Sequence, residues 1–222
     1  MIAPVWRLKK KEITWLGKNR CKHSHTYLEH YACFLEEHGE DVKIGFFDIE
    51  TSNLKADYGL MLCYCILDSS TGDILESCIT KEDLRTENIL DKRVVKNCID
   101  DLRKFDKIVG HYSTNFDIPY TRARAEFWNI PFLEYGELYH RDTYYMARRL
   151  LAISSRRLGN VCNHLFGETN KTRIDSRHWI LALQGDKNAL DYIVDHCRKD
   201  VIDLQRVYRR LEVYTKDTDK SI

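Results

Sequence analysis

The segment Phe46-Phe47-Asp48-Ile49-Glu50-Thr51 ends an apolar run with two carboxylates two residues apart. In an extended chain alternate side chains share a face, so Ile44, Phe46, Asp48 and Glu50 point one way and Gly45, Phe47, Ile49 and Thr51 the other. Both faces begin apolar, which reads as a central strand. Two acids placed where the apolar face would continue repel each other and lose hydration unless they share a cation. Hard oxygen ligands of this kind suit Mg²⁺ or Mn²⁺. The plainer alternative is a pair of solvated acids at a strand end.

A third acid lies in Asn115-Phe116-Asp117-Ile118-Pro119-Tyr120. The turn residues Gly110, Ser113, Thr114 and Asn115 follow the short apolar stretch Lys107-Ile108-Val109, and the run through Ala123, Ala125, Phe127 and Trp128 reads as a helix. Asp117 therefore sits near a helix N-terminus, where the dipole favours an acid and Pro119 fits the first turn. The fourth acid is harder to explain locally. Residues 188 to 211 carry one apolar stripe that includes Ile193, Cys197, Val201, Leu204 and Tyr208, and Asp200 falls inside it. An acid on a core face needs a partner. His196, one helical turn earlier on the same side, reaches the same place, although a histidine there is also an ordinary packing residue.

In this order the segments resemble the three motifs of the proofreading 3′-5′ exonuclease domains of family B DNA polymerases and their stand-alone ribonuclease H-like relatives, within the DEDD exonucleases. Phe47-Asp48-Ile49-Glu50-Thr51 is similar to the first motif. Asn115 to Tyr120, with Arg124-Ala125, is similar to the second, and His196-Cys197-Arg198-Lys199-Asp200 to the third. The resemblance spans residues 43 to 212. One position departs from it: the nearer branch has Tyr four residues before the last Asp, where this chain has His196. The other branch has His five residues before that Asp, where this chain has Asp195.

The resemblance implies an α/β fold, a ribonuclease H-like mixed sheet flanked by helices, and two Mg²⁺ or Mn²⁺ ions held by Asp48, Glu50, Asp117 and Asp200. By the same resemblance Asp48 bridges the ions, Glu50 and Asp200 complete the site that activates water, and Asp117 holds the ion at the leaving 3′-oxygen. His196 would orient or deprotonate the water, and Thr51 and Asn115 would touch the terminal nucleotide. The implied activity is hydrolysis of phosphodiester bonds from a single-stranded 3′ end of DNA, or of RNA, with release of nucleoside 5′-monophosphates. A ribonuclease H-like endonuclease would use the same acids, and an inactive adaptor would bind nucleic acid without cutting it. A protein partner supplying a pathway context is a further expectation.

The elements that must position these groups follow from periodicity and turn residues. Strands are expected at 43–51, 58–68 and 73–80, separated by Asn53 to Asp57 and by Ser69-Ser70-Thr71-Gly72, which makes a three-stranded meander. A helix at 88–104, a strand at 107–110, a helix at 117–128 and a strand at 137–142 come next. Helices at 143–152, 157–166, 177–184 and 188–212 complete the expectation. The chain reads as one domain over residues 43–222, preceded by a basic extension, residues 1–42, that contains cysteine and histidine. In the extension Cys21-x-His23 and His30-x-x-Cys33 offer four zinc ligands, in an order and with a gap unusual for a finger; the alternative is a plain basic arm.

Net charge is +1 over 222 residues, so attraction to nucleic acid has to come from local patches. Residues 1 to 22 hold seven Lys or Arg against Glu12, a local +6, and residues 141 to 177 hold eight against three acids, a local +5. The second group, with Arg148, Arg149, Arg156 and Arg157, lies nearer the acid motifs. At this length the chain holds one good core but not a polymerase with its own proofreading domain. Eight cysteines, of which Cys63, Cys65, Cys78, Cys162 and Cys197 lie in apolar runs where a thiol behaves as a small hydrophobe, and the lack of a signal peptide point to a reducing compartment without disulfides. The longest apolar stretch, Leu60 to Leu67, is too short for a membrane span, so the expectation is a soluble, cytoplasmic protein with no membrane partner.

Overall fold

In the computed structural model the described residues are 10–38, 42–86, 89–170, 175–215 and 220–221. The chain divides into two compact units, Met1–Val42 and Lys43–Ile222. The first unit holds helices α1 (Lys10–Lys18) and α2 (Tyr31–His38), with an isolated antiparallel bridge between Arg20 and Thr26. Leu16, Cys21, Tyr27 and Cys33 form its buried cluster, with Tyr31 and Phe34 packed against them. Sequence patterning predicts only an arm in this region, because each helix is about two to three turns long and carries too few apolar positions to register a period.

The second unit is built on β1 (Ile44–Thr51), β2 (Met61–Asp68), β3 (Ile74–Cys78), β4 (Lys107–Gly110), β5 (Tyr139–Asp142) and β6 (Lys220–Ser221). Their order is β3-β2-β1-β4-β5-β6, with β1 antiparallel to β2 and parallel to β4, so the sheet is mixed. The helices are α3 (Lys81–Arg85), α4 (Lys92–Leu102), α5 (Asp117–Phe127), α6 (Thr143–Leu150), α7 (Leu158–Phe166), α8 (Ser176–Ala182) and α9 (Lys187–Leu211). The meander matches its expected order. The expected helix at 88–104 begins among residues outside those described, and the described helix there starts at Lys92; the short α3 before it and β6 carry no sequence period of their own.

Period-2 alternation assigns the two faces of the sheet. Tyr64 of β2 donates its hydroxyl to Asp101 of α4 at 2.5 Å, whereas its neighbours Cys63 and Cys65 turn the opposite way, toward Cys197 of α9. In register, Asp48 pairs with Cys65 and Glu50 with Cys63, so both acids share the α9 face. The ring of Phe46 meets Tyr208 of α9 edge-on at 5.7 Å, on that same face. Arg198 of α9 pairs with Glu76 of β3, tying the helix across the antiparallel half of the sheet.

A buried ion pair joins the remaining layer to the sheet. Asp91, fully buried before α4, accepts from Arg124 Nε at 2.8 Å and Nη2 at 2.6 Å, from Met61 N at 2.8 Å and from Trp128 Nε1 at 2.8 Å. Arg124 also donates to the Ala56 carbonyl at 3.1 Å. One carboxylate thereby connects α4, α5, the start of β2 and the loop after β1. Among the described residues no helix is long and apolar enough to cross a membrane. None of the eight cysteines forms a disulfide.

Candidate active site

Strand pairing explains why two acids stand at the end of β1. The parallel pairing with β4 runs only from Ile44 to Phe46, and beyond it Asp48 and Glu50 continue β1 past the last β4 partner. At this point the sheet changes from antiparallel to parallel neighbours, and the carboxyl ends of such strands leave a crevice beside a topological switch. The ladder to β2 slips between Glu50 and Thr51, which ends the strand there.

The β4–α5 loop brings Asp117 to the same strand. Asp117 is buried, opens α5, and accepts from the Ile49 backbone N–H at 3.1 Å, between the two β1 acids. Burial pushes its carboxyl up to about 7, against the Ile49 N–H and its own N–H, and the charges of Asp142 and Asp200 add to the rise. Asp142, one of the three acids among residues 141 to 177, has a second task. Its oxygens accept from Tyr112 N at 2.8 Å, Thr114 N at 3.0 Å and Tyr144 N at 2.9 Å, so it caps α6 and anchors the loop carrying Asn115 to Asp117. The available signal was an Asp at a strand-to-helix boundary. Gly110 completes the loop, since a Cβ there would fall on the buried Ser113 side chain, whose Oγ lies 2.8 Å from His140 Nε2.

Helix α9 supplies the third side. Asp200 and His196 are both buried, and His196 Nε2 lies 3.6 Å from Glu50 Oε1 and 4.0 Å from Asp200 Oδ2. Glu50, His196 and Asp200 each offer one donor atom within 4.8 Å of the others. Trp179 of α8 stands edge-on to the imidazole at 6.2 Å. Asp195, at the spacing of the other branch's histidine, is exposed and pairs with Lys199. Cys197 points inward instead; burial pushes its thiol up, and its Sγ reaches the Asp48 carbonyl and Oδ2, both at 3.4 Å. This protonated thiol thus helps to seat Asp48, a contact that the place of Cys197 in an apolar stripe does not disclose.

The two residues expected to touch a nucleotide differ in setting. Thr51 is buried and its hydroxyl donates to the Asn53 carbonyl at 2.9 Å. Asn115 is exposed, with its amide 2.5 Å from the Tyr145 hydroxyl, beside the edge-packed rings of Tyr112, Tyr144 and Tyr145. Of the basic groups, Arg148, Arg149 and Arg157 are exposed and Arg156 is half-buried. Lys171 and Arg173, like Arg7 and Lys9, fall outside the described residues.

Asp48, Glu50, Asp117 and Asp200 therefore reach one region from β1, the head of α5 and the middle of α9. A family model described as the RNase_H superfamily matches residues 45–212. Over 96 residues the chain is 30% identical to a protein named DNA polymerase from Methanocaldococcus jannaschii, a match covering 35% of this chain and 6% of that protein. The structure of the family B DNA polymerase from the hyperthermophilic archaeon Pyrobaculum calidifontis superposes with a TM-score of 0.63 at 18% identity, covering 78% of this chain and 25% of the polymerase. At that identity the likeness is one of fold, and the chain spans a small part of the length of both.

Proposed function

This chain belongs to the RNase H superfamily, and from that premise we propose that it is a metal-dependent 3′-5′ exonuclease of the DEDD type. It hydrolyses phosphodiester bonds of DNA, or of RNA, from a single-stranded 3′ end. The observation that supports this reading most is the meeting of Glu50, His196 and Asp200 around one point, with Asp117 hydrogen-bonded to the backbone between Asp48 and Glu50.

The donor set fits hard divalent cations. Asp48, Glu50, Asp117 and Asp200 are the residues that would hold Mg²⁺ or Mn²⁺, and the Asp117 carboxyl, raised first by burial and then by the charges of Asp142 and Asp200, is one whose ionised form a cation would stabilise. Two such ions, when bound, balance charge on the attacking and departing oxygens of an in-line displacement. The chain's own groups do the rest. In this reading His196, whose Nε2 faces Glu50 and Asp200, orients a water and takes its proton. Asp142 holds the loop that carries Asp117 and Asn115. Asn115 and the neighbouring tyrosines present an exposed polar and aromatic surface on which a terminal base stacks. The exposed Arg148 and Arg149 position phosphates.

The test is incubation of purified full-length protein with 5′-labelled single-stranded DNA and RNA, with and without Mn²⁺. A ladder shortening from the 3′ end is the expected result. A single internal product assigns endonuclease action instead, and binding without cleavage assigns an adaptor. A protein that binds neither Mn²⁺ nor oligonucleotide would refute the reading altogether.

A further inference from the structure

The N-terminal unit carries a second cluster of ligating side chains that the acid site does not use. Between Asn19 and Tyr27 the chain turns back on itself: Tyr27 N donates to the Asn19 carbonyl at 3.0 Å, Cys21 N to His25 O at 2.9 Å, and Ser24 N to Cys21 O at 2.9 Å. Ser24 takes the left-handed conformation, φ 64°, that closes this turn. Cys21 and His23 are thereby presented at one tip. His30 and Cys33 come from the entry to α2, three residues apart and so on one face of its first turn.

The four side chains converge. His23 Nδ1 is 3.2 Å from Cys33 Sγ, and His30 Nδ1 is 3.3 Å from Cys33 Sγ and 3.8 Å from Cys21 Sγ. One donor atom from each of the four lies within 4.8 Å of all the others. A tetrahedral zinc ion with Zn–S of about 2.3 Å and Zn–N of about 2.0 Å separates its sulfur and nitrogen ligands by about 3.5 Å, in the middle of the observed distances. Thiol–imidazole packing accounts for one such contact, not for two thiols and two imidazoles facing one point. Both thiols are buried and His23 is exposed, so the sulfurs face inward beside Leu16 and Tyr27.

We propose that Cys21, His23, His30 and Cys33 bind a structural zinc ion that holds the N-terminal unit folded. Two thiolates with two imidazoles in a tetrahedral array select zinc over the hard cations suited to carboxylates. Four protein ligands fill its coordination, which makes the site closed and structural rather than catalytic. The need follows from size. A unit of this length, whose buried apolar cluster among the described residues is Leu16, Cys21, Tyr27 and Cys33, is at the limit of what a hydrophobic core supports unaided, and metal binding then becomes folding free energy. The inference stands apart from the nuclease reading, because neither ligand set shares a residue with the other.

The full chain purified under reducing conditions is expected to retain about one Zn²⁺ per molecule after dialysis, and Cys21→Ser with Cys33→Ser to lose it. Replacing zinc by Co²⁺ gives tetrahedral ligand-field bands and a thiolate-to-metal charge-transfer band, which the carboxylates and imidazole of the second unit cannot produce. Chelation should raise amide hydrogen exchange over residues 19–33 at least about tenfold. His23→Cys, which keeps four ligands, should still bind and separates loss of metal from a failure to fold. Absence of the sulfur-to-cobalt band in wild type, or zinc content unchanged in the double serine variant, would overturn the proposal.

Discussion

Burial governs the protonation of Asp117 more than any neighbouring charge. Its carboxyl is raised from the ordinary 3.8 to about 7, first by desolvation, so the native state holds a proton that the unfolded chain releases across that window. The sign follows: with more protons bound to the native state, this contribution to stability is complete below 3.8 and is lost as pH rises through about 7. In chelator, the melting temperature of the wild type should therefore fall across this window more steeply than that of Asp117→Asn; parallel curves would remove Asp117 as the source. Asp48 tests the site from the other side. Asp48→Ala removes a proposed ligand and relieves repulsion, so cleavage should fall by roughly 10²-fold or more while the far-UV spectrum is unchanged. Near-wild-type turnover of this variant in Mg²⁺ or Mn²⁺ would show the site to be misassigned. His196 bears on the proton. If it takes the proton from water, Ala should slow turnover by roughly 10²-fold and change the pH profile, whereas Tyr restores part of the rate by orienting water. Equal rates for wild type and His196→Ala across that profile, at saturating Mn²⁺ and substrate, would exclude the imidazole as base.

The elements hold these residues through a few long-range polar contacts. Helix α9 reaches the acid face because Cys63, Cys65 and Cys197 are small enough to let helix and sheet approach closely there. The other side of the sheet depends on Asp91 and Arg124, whose side chains are almost completely buried. A buried pair adds little over an apolar substitute, but removing one partner strands the other charge. Arg124→Met should cost about 3–5 kcal/mol in urea unfolding. It should also loosen the loop after β1, since the Ala56 contact goes with it. A loss under about 1 kcal/mol would mean that water reaches Asp91 and replaces the guanidinium.

With a net charge of +1, the whole molecule has no global attraction for a polyanion. Association must rely on local groups, of which Arg148 and Arg149 at the end of α6 and Arg157 before α7 are exposed. Charge reversal at Arg148 and Arg149 should weaken oligonucleotide binding and flatten its dependence on salt, because fewer counterions are released. Hydrolysis at saturating substrate should change little, since phosphate contacts position the strand without entering the chemistry. An unaltered salt slope would return both arginines to an ordinary solvated surface.

Period and residue type alone carried much of this. Alternation over residues 44–51 marks a central strand, the turn residues 69–72 mark the meander, and the stripe through residues 188–211 marks a long helix with Asp200 and His196 on its buried side. These signals are local, because a few consecutive side chains state which face is apolar. What they leave open is which faces meet. Only the tertiary structure ends the β1–β4 pairing at Phe46 and lays α9 over Asp48 and Glu50. It also gives Asp142 backbone partners about thirty residues away, and it folds Cys21 and His23 back onto His30 and Cys33. Such meetings are chosen by burial and hydrogen-bond satisfaction summed over distant segments, a balance that no short window of sequence contains.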